Sequence, residues 1–280
     1  MRGLHARRGQ VTAVLRRRPT LRGHRAAQGC AVDVGTARTR IAVPGRGLLL
    51  DEPTLLAYGR AGVVVAVGSA AQQAAASGPV RLVRPVRHGT VTDPVGCVHL
   101  LRSLMAEAEI EARQGLTIAI GVPVAGLASD VSVAVGVAAS AGRGTVVPVE
   151  SSLAAAIGAG TDVSEEATTL VCDVGVGLVE VAAVGSGRVL ASTQVPLGLP
   201  DVVDDVDRVL RRVATALVGV LDDLPHAVAA DLVARPLLLV GGGGLHPGFA
   251  DQLAAACRLP VVVAPRPRAA VVEGLGACLG

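Results

Sequence analysis

Three glycine-bearing loops, each directly after a short apolar run, constrain the fold of this chain most. They occupy residues 31–43 (AVDVGTARTRIAV), 170–184 (LVCDVGVGLVEVAAV) and 237–249 (LLLVGGGGLHPGF). Glycine lets the backbone approach phosphate oxygens closely, and the exposed N–H groups at such turns attract anions. The first two loops share the order strand, Asp, any residue, Gly, and they stand far apart in the chain. Together the loops predict two lobes that hold one phosphate chain between them.

The strand and helix pattern repeats in the two halves of the chain. Short β-rich runs alternate with stretches of helical periodicity, which is typical of an α/β fold. Each half opens with a strand, an Asp-x-Gly turn and a second strand, so the sequence predicts an internal duplication around a cleft. The predicted strands are 30–34, 38–43, 47–50, 54–58, 63–67, 116–120, 145–149, 168–173, 178–184, 188–194, 237–240 and 260–263. The predicted helices are 69–76, 95–112, 129–141, 151–159, 201–222, 226–234, 247–257 and 268–278.

Charge is distributed unevenly along the chain. The formal net charge is +3, and residues 1–28 contain eight Arg and no acidic residue, so the remainder carries −5, which is +3 less +8. Apolar residues make up 51% of the 280 residues, enough for a sizeable core, but Tyr58 and Phe249 are the only aromatic residues. Because aromatic stacking platforms are nearly absent, no nucleic-acid partner is predicted.

Cysteine and histidine spacing indicates neither a metal site nor a disulfide framework. The five Cys residues form no CxxC pair, and the six His residues form no HxxH or HExxH pair. We interpret the cysteines as reduced thiols of a cytoplasmic protein. The four acidic residues between positions 201 and 207 precede a helical run, and we interpret them as charges that favour a helix N-terminus.

Residues 1–28 are predicted to be a separate basic segment. They contain no unbroken apolar stretch, so they are not a secretory signal, and no later stretch is a convincing membrane span. The favoured interpretation is a disordered Arg-rich tail. The alternatives are an artefact of an upstream start codon and an anchor on an anionic membrane surface. The predicted location is cytoplasmic, with membrane association through this tail left open.

Several longer stretches resemble one family. They are DVGTARTRIAV (33–43), VRLVRPVRHGTVTD (80–93), ESSLAAAIGAG (150–160) and the segment from Val240 to Gly276. Together they resemble the MreB family of bacterial actins. The resemblance implies a two-lobed, actin-like ATPase fold built from duplicated ribonuclease-H-like lobes. It also implies a first lobe of residues 29–158 plus 266–280 and a second lobe of residues 159–265.

The same resemblance implies ATP and Mg²⁺ as ligands and assigns residues to them. Asp33 and Asp173 would hold Mg²⁺ through water, since Mg²⁺ keeps part of its hydration shell. Glu150 is the candidate catalytic residue. The residues assigned to the nucleotide are Asp33, Gly35, Thr36, Ala37, Arg38, Thr39, Asp173, Gly175, Gly177, Gly241, Gly242, Gly243 and Gly244.

Each assignment has a structural alternative. The two aspartates could simply cap turns, and the run of four glycines from 241 to 244 could be only a strand-to-helix turn. Glu150 is equally well interpreted as a solvated turn acid. Thr36 and Thr39 would suit any hairpin, because threonine favours strands.

The departures from the family pattern concern hydrolysis. The second loop has Val176, Leu178 and Val179 where the family has a glycine and two threonines. Ser151 stands where the family has the glutamate that orients the attacking water, and Arg38 stands where asparagine is usual. A serine cannot polarise water as a carboxylate can. The sequence therefore predicts weak or absent hydrolysis, at most that of a slow ATPase.

A deletion is the third departure. Only about forty residues separate Val195 from Arg235, where the family carries a much longer segment. The resemblance therefore predicts that the small outer subdomain of the second lobe is missing, together with the preceding helix that contacts adenosine. That loss removes surface used for head-to-tail contacts, so long filaments are not expected without a partner.

Two functional hypotheses follow. The first is an MreB-like cytoskeletal, ATP-binding protein that acts in cell-shape or cell-wall assembly, including spore-wall assembly. Its expected partners are further copies of itself or a full-length MreB homologue, together with cell-wall synthesis or morphogenetic proteins. The second is a nucleotide-free pseudo-actin that serves as a structural or regulatory partner. A sugar kinase is disfavoured, because no substrate-binding insert remains.

Overall fold

The computed structural model describes residues 29–112, 114–124, 126–164 and 168–280. The predicted basic tail, residues 1–28, lies outside the described residues. The elements of the first half are, in chain order, β1 (Gly29–Val34), β2 (Arg38–Val43), β3 (Gly47–Pro53), β4 (Leu56–Tyr58), β5 (Val64–Val67), α1 (Gly68–Ser77), β6 (Arg81–Val83), β7 (Val86–Arg87), β8 (Thr90–Val91), α2 (Pro94–Glu107), β9 (Thr117–Val122), α3 (Ala128–Gly142), β10 (Thr145–Glu150) and α4 (Ser151–Gly158).

The second half repeats this order in a shorter form. Its elements are β11 (Thr168–Val174), β12 (Val179–Gly185), β13 (Arg188–Val195), α5 (Leu199–Asp204), α6 (Val206–Asp222), α7 (His226–Val233), β14 (Leu237–Val240), a 3₁₀ turn (Gly242–Leu245), α8 (Phe249–Cys257), β15 (Val261–Val263) and α9 (Ala270–Ala277).

Two five-stranded sheets of the same topology form the framework. The first sheet has the order β10-β9-β1-β2-β3 and the second β13-β12-β11-β14-β15. In each sheet three consecutive strands form an antiparallel meander, and two later strands join in parallel beside the first of them. The predicted internal duplication is therefore confirmed. Each sheet with the helices on its outer face is called a lobe below.

The lobes differ in the elements after the meander. In the first lobe the small sheet β5-β4-β6 and helix α1 lie between β3 and α2. At the corresponding point of the second lobe, the described residues contain only α5 between β13 and α6. The structure thus agrees with the prediction that the outer subdomain is missing from the second lobe.

Each lobe has its own apolar core. In the first lobe Leu100 and Leu104 of α2 pack with Ile118 of β9, and their spacing of four residues keeps both side chains on one helix face. In the second lobe Val213 of α6 and Phe249 of α8 pack against the strands. Residues alternate along each strand, so the opposite face of each sheet remains for contact between the lobes.

Helices α4 and α9 fill the space between the two sheets. Their core is made of small residues, including Ala154 of α4 and Ala270 of α9. A Cβ on Gly158 would overlap the carbonyl oxygen of Ala270, and a Cβ on Gly274 would overlap that of Ala154. The two helices therefore cross in backbone contact, which holds the sheets close together.

The predicted lobe boundaries remain a prediction. Helix α9 packs on β1, β2, β3 and β9, in line with its assignment to the first lobe. Helix α4 follows the first sheet in the chain, but among the strands it packs chiefly on β11 and β12. The boundary at residue 158 therefore depends on whether α4 is grouped by chain order or by contact.

Two predicted helices differ from the structure. The helix predicted to reach residue 112 ends at Glu107. It cannot continue because Glu109 has a φ of +58°, which lies outside the right-handed helical region. The helix predicted over 201–222 is two helices, because two aspartates cap separate N-termini. Asp201 accepts from the backbone N–H of Gly198 at 2.8 Å, and Asp205 from that of Arg208 at 3.0 Å. This agrees with the interpretation of the acidic cluster as helix N-terminal charge.

All five cysteines lie in the described residues, and none of them forms a disulfide there. Of the helices in the described part of the chain, none combines the length and the apolar character needed to span a bilayer.

Candidate functional site

A cleft of about 670 Å³ opens between the two lobes, and all three glycine-bearing loops reach it. The loops follow β1, β11 and β14, so the duplicated topology brings the ends of corresponding strands to one place. The predicted residues that line the cleft are Asp33, Gly35, Thr36, Ala37, Arg38, Asp173, Gly175, Gly177, Gly241 and Gly242.

The two Asp-containing loops make the same turn. The backbone N–H of Gly35 donates to the carbonyl oxygen of Arg38 at 2.9 Å. The backbone N–H of Gly175 likewise donates to the carbonyl oxygen of Leu178 at 2.9 Å. Each turn joins the two strands of a hairpin, β1 to β2 and β11 to β12. The residues at the two tips, 36–37 and 176–177, line the cleft from opposite lobes. The loops therefore match in hydrogen bonding as well as in sequence.

A row of alternating charges crosses the first sheet at the cleft. Asp33, Arg40 and Asp51 are direct partners across β1, β2 and β3, so their side chains share one face of the sheet. Arg40 Nη1 lies 3.4 Å from Asp33 Oδ2, and Arg40 Nε lies 3.3 Å from Asp51 Oδ2. Arg38 extends the row, with its Nε 2.7 Å from Asp51 Oδ1. The side chains of Arg40 and Asp33 are only 12% and 17% exposed, so their pair is largely buried.

Two carboxylates of the second lobe add to the charge at the cleft. The pKa of Asp173 is raised to about 7, first by burial and then by the charges of Glu180 and Asp33, while Arg40 opposes the shift. The pKa of Glu180 is also raised to about 7, chiefly by burial. The backbone N–H of Val124 opposes that shift by donating to Glu180 Oε1 at 3.0 Å, a hydrogen bond that joins the lobes. Near neutral pH both groups therefore carry only part of their charge.

The lobes also touch at the tips of their loops. His88 Nδ1 lies 2.7 Å from the carbonyl oxygen of Gly177, and the ring donates because a carbonyl can only accept. A Cβ on Gly177 would lie 3.1 Å from Thr36 Cγ2, and a Cβ on Gly89 would lie 2.9 Å from Leu178 Cδ2. Leu178, at a position where the resemblance expects threonine, therefore packs on the first lobe.

Gly241 of the third loop has to be glycine. Its φ is +82°, a conformation that other residues rarely adopt. A Cβ there would also overlap Asp173 Oδ1. The third loop consequently passes directly beside the carboxylate of the second.

Three of the predicted nucleotide-binding residues do not line the cleft. Thr39 is fully buried, and its hydroxyl lies 2.9 Å from the hydroxyl of Thr54. Strand alternation places Thr39 on the face opposite to Arg38 and Arg40. A Cβ on Gly243 would overlap Val174, and one on Gly244 would lie 3.4 Å from Leu239 Cγ. Gly243 thus lets the 3₁₀ turn pack on the second sheet, whereas a side chain at Gly244 would make only an ordinary contact.

Glu150, the candidate catalytic residue, is also outside the cleft lining. It is the last residue of β10, and burial raises its pKa while the backbone of Val189 in β13 lowers it. The next residue, Ser151, does line the cleft. The structure therefore brings Ser151 and not Glu150 to the position beside the loops.

Comparison with known proteins gives the family. The family model described as MreB/Mbl protein matches residues 27–206 and 199–280. The chain belongs to the MreB/Mbl family. It is 26% identical over 320 residues to the cell shape-determining protein MreB of Escherichia coli strain K12, covering 89% of this chain and 92% of that protein. It is 24% identical over 319 residues to the cell shape-determining protein Mbl of Bacillus subtilis strain 168, covering 90% and 96%.

Solved structures of the family have the same fold. MreB 5 of Spiroplasma citri bound to AMPPNP matches with a TM-score of 0.79 at 19% identity, over 90% of this chain and 95% of that one. The ADP-bound structure of MreB5 matches with a TM-score of 0.76 at 18% identity, over 88% and 94%. These similarities confirm the predicted actin-like fold.

This MreB/Mbl family member is shorter than its relatives. The match to the E. coli protein extends over 320 positions, whereas 89% of this chain's 280 residues is about 249, so about 71 positions have no counterpart here. The shortfall agrees with the missing outer subdomain of the second lobe.

Arg40 and Asp51 are among the charged residues of the MreB/Mbl cleft that sequence reasoning missed. Both line the cleft, and a signal for them was available. Arg38 and Arg40 are two positions apart in a predicted strand, so they share a face. The sequence pattern alone did not give the hairpin register, which places Asp51 opposite Arg40.

The residues present do not fit a Mg²⁺ ion shared by Asp33 and Asp173. Asp33 already pairs with the guanidinium of Arg40 at 3.4 Å, and that fixed positive charge repels a second cation beside the same carboxylate.

Proposed function

We propose that this chain is an MreB-like cytoskeletal protein that binds ATP in the cleft between its lobes. It would act in cell-shape or cell-wall assembly, including spore-wall assembly, with weak or absent hydrolysis. The observation that carries the proposal is the meeting of three glycine-bearing loops at one cleft of about 670 Å³. That volume suits a small-molecule ligand.

The relatives support both parts of the proposal. The two solved MreB5 structures contain AMPPNP and ADP, respectively. The E. coli and B. subtilis relatives are named cell shape-determining proteins. In this chain the tips of the two matched turns would bind the phosphates through their backbone N–H groups, and Arg38 would add a guanidinium. Gly241 and Gly242 would pack against the nucleoside.

The residues around the cleft support slow hydrolysis at most. An attacking water needs a positioned acid or base, whose loss typically costs about 10²–10⁴ in rate. Ser151 offers a hydroxyl in place of a carboxylate, and Leu178 packs on Gly89 rather than presenting a hydroxyl. Glu150 is not among the residues that line the cleft. The Mg²⁺ ion implied by the resemblance remains a prediction for Asp173 only.

A binding measurement tests the proposal. Isothermal titration of the purified full chain with ATP, in buffers with and without Mg²⁺, should give micromolar affinity. Gly241→Val should weaken binding strongly, because its side chain would enter the space of the Asp173 carboxylate. Gly136→Val is the matched control, since a Cβ there meets nothing within 4 Å. Absence of binding in both buffers would refute the proposal.

The nucleotide-free pseudo-actin stays the second candidate, because one observation favours it. The contacts of His88 with Gly177 and of Leu178 with Gly89 join the loops where phosphates would enter. If these contacts hold the cleft shut, ATP will not bind to the wild-type protein. In that case His88→Ala should allow ATP to bind. If the variant also fails to bind ATP, the site has lost its binding function and is not merely blocked.

Assembly and location are proposed on the same basis. We expect self-association without long filaments, and co-assembly with a full-length MreB homologue or with cell-wall synthesis proteins. Electron microscopy of the pure protein with ATP tests this, and abundant protofilaments would contradict it. A cytoplasmic protein that contacts anionic membranes through residues 1–28 should bind anionic liposomes, and removal of those residues should abolish that binding.

A further inference from the structure

The charge row at the cleft contains its own cation. Asp33, Arg40 and Asp51 are neighbours in register across three strands, so the backbone itself fixes their side chains side by side. Arg40 Nη1 is 3.4 Å from Asp33, and its Nε is 3.3 Å from Asp51. With 12% of its side chain exposed, Arg40 has little freedom to swing away into solvent.

Arg40 also acts on the carboxylate of the other lobe. The Arg40 guanidinium and the Asp173 carboxylate line the same cleft as Asp33. Two carboxylates that face one cleft need a cation between them if both are to ionise. In this chain Arg40 of β2 is a cation of the cleft that is already paired with Asp33.

We infer that Arg40 replaces the divalent cation at Asp33, so that the cleft binds nucleoside triphosphate without a metal ion. This inference rests on the proposed nucleotide binding. Arg38 and Arg40 lie on one strand face beside the first turn, where they can neutralise phosphate oxygens directly. A guanidinium presents a fork of donors that suits phosphate. A metal ion at Asp33 would have to break the ion pair between Asp33 and Arg40.

Titration of the full chain with ATP in EDTA and in Mg²⁺ tests the inference. For the wild type, the dissociation constants in the two buffers should agree within about threefold, which is under 1 kcal/mol. For Arg40→Gln, the dissociation constant in EDTA should rise at least roughly tenfold, the effect of one hydrogen bond to a charged group. Mg²⁺ should recover part of that loss.

Arg235→Gln is the matched control, because it removes one guanidinium from an exposed pair with Asp231 outside the cleft. It should leave both dissociation constants unchanged. A second readout needs no nucleotide: Mg²⁺ should raise the melting temperature of Arg40→Gln, which exposes Asp33 to a metal, and leave that of the wild type unchanged.

The outcomes separate the inference from the function on which it rests. Wild-type binding that occurs only with Mg²⁺ would overturn the role of Arg40 and leave nucleotide binding intact. Absence of binding in both buffers would overturn the role of Arg40 and the proposed nucleotide binding. If Arg40→Gln does not fold, the wild-type comparison between EDTA and Mg²⁺ still decides the question.

Discussion

The crossing of α4 and α9 yields a sharp stability prediction, because it depends on backbone contact. At Gly274 an added Cβ would overlap the carbonyl oxygen of Ala154 and lie 2.9 Å from the backbone nitrogen of Gly158. These are backbone atoms, so no side-chain rotation can relieve the clash. Gly274→Ala therefore has to push α4 away from α9.

The matched control lies two residues further along the same helix. At Gly276 an added Cβ meets nothing within 4 Å. Both substitutions gain up to about 1 kcal/mol from the better helix propensity of alanine. Only Gly274→Ala also bears the overpacking cost of about 1–3 kcal/mol. The difference between the two variants, about 2 kcal/mol, isolates the helix contact.

Thermal unfolding measures that difference. At roughly 2–4 °C per kcal/mol for a chain near this size, Gly274→Ala should melt about 4–8 °C below Gly276→Ala. ATP affinity should fall in the same variant, because α4 and α9 set the distance between the lobes. Equal melting temperatures for the two variants would refute the reasoning, since they would mean that the helices do not cross in backbone contact.

Three further predictions concern the cleft and the cores. Glu180→Gln should reduce the pH dependence of stability. The folded-state pKa of Glu180, about 7, exceeds the ordinary 4.5, so the wild type should lose stability as pH rises from about 5 through 7. Urea unfolding at a series of pH values measures this loss. A slope unchanged in the variant would contradict this. Gly241→Ala should lower the melting temperature by several degrees, because of its positive φ and its contact with Asp173. In a thiol-labelling time course the exposed Cys278 should react first, and the buried thiols at 30, 97 and 172 should stay protected until unfolding.

Much of the fold was predictable from local patterns. The repeated strand–Asp–x–Gly–strand order predicted the duplicated lobes, and the apolar runs predicted most strands within a few residues. The break at Asp205 was missed, because the uninterrupted helical periodicity outweighed a capping aspartate inside the run. Helix α2 was predicted too long, because the positive φ of Glu109 leaves no mark in the sequence.

The candidate site was predictable in part, since its glycines and aspartates lie in recognisable turns. Thr39 was included because it belongs to the first loop, whereas strand alternation turns it away to Thr54. Arg40 was left out for the opposite reason, because only the register of three strands sets it between Asp33 and Asp51. Pairing between strands is a tertiary property that single-sequence periodicity does not specify.

The sequence by itself determined the α/β duplication and the place of the three loops in the chain, and its resemblance to the family added the short segment where the outer subdomain is missing. These features follow from local residue order and from segment length. Only the tertiary structure decided which side chains reach the cleft, that Ser151 rather than Glu150 lies there, and that Arg40 holds Asp33. Such choices depend on strand register and on the approach of two lobes, where a shift of one residue turns a side chain to the other face.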